Sequence, residues 1–82
     1  MNMEKQEILQ ELNNIFHEIF QNKSIVLTEN MSAADIDEWD SLNHAQLISA
    51  VEKHFKIKFK LSEMMGFKNV GSMCNVIHQK LA

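Results

Sequence analysis

The stretch Asp35-Ile36-Asp37-Glu38-Trp39-Asp40-Ser41-Leu42-Asn43-His44-Ala45-Gln46-Leu47-Ile48-Ser49-Ala50-Val51-Glu52-Lys53-His54-Phe55 decides the fold. At about 100° per residue, Leu47, Ile48, Val51 and Phe55 fall on one side of a helix running from about Ser41 to Phe55. Asp40 is suited to cap it, because a carboxylate there accepts from the exposed amides of the first turn. His44 falls on the inward stripe. A half-buried imidazole needs a hydrogen-bond partner, and the expected one lies in the preceding loop, such as a backbone carbonyl. The outward side carries Ser41, Leu42, Ala45, Gln46, Ser49, Glu52 and Lys53.

Upstream, about Met3 to Gln21 reads as a first helix. Ile8, Leu9, Leu12, Ile15, Phe16, Ile19 and Phe20 fill an arc of about 140°. Between the two helices, Asn22 to Asp40 is a long irregular stretch with scattered apolar residues. A loop of that length in a small chain is functional or packed by its own side chains, and Ile36 and Trp39 are the expected anchors. Downstream, Lys56-Ile57-Lys58-Phe59-Lys60 alternates like a strand but has no partner strand, so an extended connector is expected. Leu61 to Met65 forms a helical turn stopped by Gly66. A last helix spans about Val70 to Leu81, with Asn69 as its cap and Val70, Met73, Cys74, Ile77 and Leu81 on one face. The expectation is an all-α, four-helix bundle forming a single domain over residues 1–82, with a long loop between helices 1 and 2 and a short third helix.

The chain of 82 residues is 45% hydrophobic and 23% charged, ordinary values for a globular domain. No apolar run approaches the roughly 18 residues of a membrane helix. The charged start, Met1 to Glu7, is not the pattern of a signal peptide. The single cysteine, Cys74, cannot form an internal disulfide, which fits a reducing, cytoplasmic setting. Lysines number 8 with no arginine, and the net charge is -3. That argues against nucleic acid as a partner, which selects a basic face and arginine.

Ser41 at the first turn of its helix sits where unpaired amides and the helix dipole favour an anion, so a phosphate ester there is electrostatically well placed. A serine hydrolase would need a base beside Ser41. His44 is near in sequence but turns about 60° toward the buried side, and no nucleophile elbow or glycine-rich oxyanion loop accompanies it. His17, His44, His54 and His78 do not match a zinc spacing. Cys74 reads as a small core residue.

With Asp40-Ser41-Leu42 opening a helix, followed by an apolar stripe ending in Glu52 and Phe55, the chain resembles the acyl carrier protein family. Phe67-Lys68-Asn69-Val70-Gly71-Ser72-Met73 is similar to that family's approach to its last helix, and the likeness extends over nearly the whole chain. The resemblance implies that Ser41 carries 4′-phosphopantetheine, transferred from coenzyme A by a phosphopantetheinyl transferase. It also implies that the cofactor's thiol holds acyl groups as thioesters for acyl-loading and acyl-processing enzymes, and that the chain is not itself an enzyme. Asp40 would then cap the helix and help position the transferase's metal and cofactor. Leu42, Ala45, Gln46, Ser49, Glu52 and Glu38 would form the partner interface of a monomer. Fatty-acid carriers are strongly acidic along this helix, whereas Asn43, Gln46 and Ser49 stand here, so polyketide, hybrid peptide, or surface-glycan and lipid modification pathways are open beside fatty-acid biosynthesis. A peptidyl or aminoacyl carrier is a nearby alternative, although Trp39-Asp40 replaces its usual Gly-Gly. A small helical adapter without a prosthetic group is the rival from another class.

Overall fold

The computed structural model describes residues 3–67 and 69–81. Among these residues there are four helices: α1 (Lys5–Phe20), α2 (Ser41–Phe55), α3 (Leu61–Met65) and α4 (Val70–Leu81). The last three have the expected bounds. α1 is shorter than the expected Met3 to Gln21. At its start the Glu4 amide donates to the Glu7 carboxylate at 3.1 Å, which makes Glu4 the cap. At its end Gln21 turns into the left-handed region (φ 51) and its amide closes onto the His17 carbonyl.

α1 packs against α2 and α4. Ile8, Leu12, Phe16, Leu47, Val51, Val70, Met73 and Ile77 are fully buried at their meeting. Leu9 and Ile19 of the first stripe, and Leu81 of the last, lie half-buried at its margin. Among the described residues, no helix is long and apolar enough to cross a membrane.

The long loop is packed rather than free. Ile25, Leu27, Ile36 and Trp39 are buried in the core. Asn13 of α1 accepts from the Leu27 amide at 2.9 Å, and the Ile25 carbonyl accepts from the His17 ring at 2.6 Å. The loop also closes the start of α4. The Val70 and Gly71 amides donate to the Met31 and Glu29 carbonyls at 2.8 and 2.9 Å. A Cβ on Gly71 would lie 3.1 Å from the Glu29 carbonyl oxygen, so only a residue without a side chain fits here without moving the loop. Asn69 caps α4 as expected, accepting from the Ser72 amide at 2.8 Å.

The connector from Lys56 to Lys60 is extended, with Ile57 and Phe59 buried and the lysines exposed. It finds a hydrogen-bond partner without a second strand: the Glu52 carboxylate accepts from the Phe59 amide at 2.8 Å.

Cys74 is fully buried, as expected of a core residue. Burial, aided by the Glu29 carboxylate and opposed by Lys5, pushes its thiol up to about 11. The folded protein should therefore leave Cys74 unreactive toward a disulfide reagent at neutral pH, with reaction appearing only on addition of denaturant. Rapid reaction in the native state would contradict this packing.

Candidate functional site

The site forms where the loop enters α2. Asp40 is extended (φ -107) and its carboxylate accepts from the Asn43 amide at 2.8 Å. The Asn43 side chain reaches back to donate to the Glu38 carbonyl at 2.7 Å. These two bonds lock the junction from both sides. Ser41, next in the chain, is exposed on the first turn. Among the described residues, no partner receives the amides of Ser41 and Leu42. Two free donors and the positive end of a 15-residue helix thus accompany the Ser41 hydroxyl.

Behind Ser41 lies a hydrogen-bonded chain across three elements. Trp39 Nε1–H donates to His44 Nδ1 at 2.9 Å. An indole nitrogen only donates, so Nδ1 is the acceptor and the imidazole proton sits on Nε2. Nε2–H in turn meets the Met64 carbonyl at 3.2 Å. The expected tie between His44 and the loop is present, but through the Trp39 side chain, and the backbone carbonyl belongs to α3. Both ring nitrogens are engaged, which leaves neither as a base for Ser41. Trp39 also meets Phe16 edge-on at 5.2 Å.

An open groove of about 620 Å³ runs beside Ser41 and Asp40, lined by Ser32, Ala33, Ala34, Trp39, His44 and Phe67. Phe67 is held in place edge-on to Phe59 at 5.2 Å. Sequence reasoning missed the residues 32–34 and Phe67. Their role comes from the path of the loop over α2, and no local motif marks it. A group rooted at Ser41 with an anionic ester and a flexible, partly apolar tail fits this arrangement. Such a group would set its anion against the free amides and its tail along the aromatic groove.

α3 is steadied by Glu63, whose carboxylate accepts from the Lys60 amide at 2.7 Å and pairs with Lys80 of α4 at 3.0 Å. The amide bond, then Lys80, lowers its pKa from the ordinary 4.5. A lowered carboxylate stabilises the fold above its unfolded value, and that contribution fades as pH falls through the folded value. Acidification below about 4.5 should loosen α3 and shift the Met64 resonances. Glu63→Gln should remove this pH dependence, and its persistence in the variant would assign the effect elsewhere.

Of the expected interface residues, Leu42 is 70% exposed, and Ala45, Gln46 and Ser49 are exposed beside it. Glu38 and Glu52 are half-buried and already engaged, which their sequence positions, one in the loop and one on the outward side of the wheel, did not show. Glu38 accepts from Asn22 at 2.8 Å and Glu52 from the connector.

The family profile described as Phosphopantetheine attachment site matches residues 8–77. A solution structure of a holo acyl carrier protein from Geobacter metallireducens superposes with a TM-score of 0.84. The two share 49% sequence identity, covering 89% of this chain and 84% of that one. Among curated proteins, none matches. The chain belongs to the phosphopantetheine attachment-site family. Its function is that of an acyl carrier with a phosphopantetheine prosthetic group, and this family is not itself catalytic.

Proposed function

We propose that Ser41 is the attachment residue and that the outward face of α2 is where partner enzymes dock. The observation that carries this is the exposed Ser41 hydroxyl at a capped helix start with two free amides, opening onto an aromatic groove. When attached, the group supplies a thiol that holds an acyl chain as a thioester. Asp40 fixes the first turn, so the hydroxyl is presented in one orientation to a phosphopantetheinyl transferase using coenzyme A. Trp39, His44 and Phe67 form a floor along which the group can rest between docking events. The face that acyl-loading and acyl-processing enzymes meet is flat, with Leu42 as its one large apolar anchor. The weak acidity of that face supports a partner set in a specialised acyl pathway. The continuous core supports a single domain over residues 1–82.

Because Cys74 is masked, native thiol titration tests the reading. The unmodified protein should show no fast thiol, and the modified protein one. A modified protein without a fast thiol would contradict it. Leu42→Ala should weaken loading by roughly 1–2 kcal/mol, seen as a higher KM for the carrier with its fold intact. An unchanged KM would remove Leu42 from the interface.

A further inference from the structure

The far end of α2 reverses the charge of its start. Lys53, Lys56 and Lys58 rim a groove of about 390 Å³ that also includes Ser49, Glu52 and Ile57. All three lysines are exposed and, among the described residues, form no ion pair. The one acid in the groove, Glu52, is turned to the Phe59 amide. His54 faces the other way, 3.3 Å from Glu11 of α1. The middle lysine closes the helix, as Gln21 closes α1. Lys56 ends α2 in the left-handed region (φ 58, ψ 47), where glycine is the favoured residue and a side chain is strained.

We propose that Lys53, Lys56 and Lys58 form a second, cationic docking point for partner proteins, matched to an acidic patch on them. It rests on the reading of α2 as the docking face, and is continuous with that face through Ser49. Ser41 and Lys56 lie at opposite ends of α2, about 22 Å apart at 1.5 Å per residue. The partner's acidic patch therefore sits at about that distance from the opening that receives the arm. Its opposite charge orients the carrier along one direction, so that Ser41 faces the opening.

The test uses the full-length, isotope-labelled holo protein, with a helical peptide presenting glutamates on one face as the probe. Resonance shifts should concentrate at residues 49–58. Lys56→Glu combined with Lys58→Glu should weaken binding at least tenfold, as should raised salt. Lys56→Gly separates use from structure: it should raise the melting temperature by relieving the backbone and yet weaken peptide binding. Several outcomes overturn the proposal. One is shifts spread equally over Lys5, Lys23 and Lys80. Others are unchanged affinity in Lys56→Gly, or binding to phosphatidylglycerol vesicles without binding to the peptide. Intact mass, read in parallel, reports whether Ser41 is modified, so a failure of the attachment reading is seen separately.

Discussion

Trp39→Ala should destabilise the protein by about 3–5 kcal/mol, the usual range for truncating a buried tryptophan. Trp39 is 6% exposed and its ring fills the space between the loop and Phe16. Truncation opens a cavity there and removes the donor to His44 Nδ1, leaving a half-buried acceptor unpaired. For a chain of this size the total stability is of order 4–12 kcal/mol, so the variant should lose from about a quarter to all of it. Trp39→Phe separates the two contributions. It keeps most of the volume and loses only the donor, for a cost of about 1–2 kcal/mol. Denaturant unfolding followed by circular dichroism measures both, since the variants lack the protein's one tryptophan. A melting curve for Trp39→Ala that overlays the parent would show that the loop is anchored elsewhere.

The same residues show how far the sequence could be read. α2 and α4 begin, and α3 ends, where punctuation is chemical and local: Asp40 and Asn69 as caps, Gly66 as a stop. α1 lacked such a signal at its start, where the Glu4–Glu7 pairing decides against Met3. The position of His44 on α2 was legible because a wheel gives direction. The identity of the element opposite was not, and the carbonyl it meets comes from α3. Glu38 and Glu52 read as interface residues, and their intramolecular partners, Asn22 and the Phe59 amide, were not legible because the loop path and the connector set them. The left-handed turn at Lys56 was invisible for a related reason: a lysine carries no sign of the conformation that glycine would announce. At the candidate site, Asp40 as the cap and Ser41 on the first turn were legible from capping rules and the helical pattern. The groove was not, since residues 32–34 and Phe67 meet only in the folded chain.

The central claim is that Ser41 Oγ accepts the phosphopantetheine group, and its expected effect is all or none. The hydroxyl stands on the first turn of a helix whose cap is satisfied by Asp40, so Ser41→Ala removes the reacting oxygen without removing the cap. The variant should fold with a melting temperature close to the parent's, because the side chain is exposed and surface substitutions change stability little. The decisive measurement is the intact mass of the parent and of Ser41→Ala after incubation with a promiscuous phosphopantetheinyl transferase and coenzyme A. The account predicts one added phosphopantetheine on the parent and none on the folded variant. An unchanged mass for the parent, or the same gain on Ser41→Ala, would contradict it.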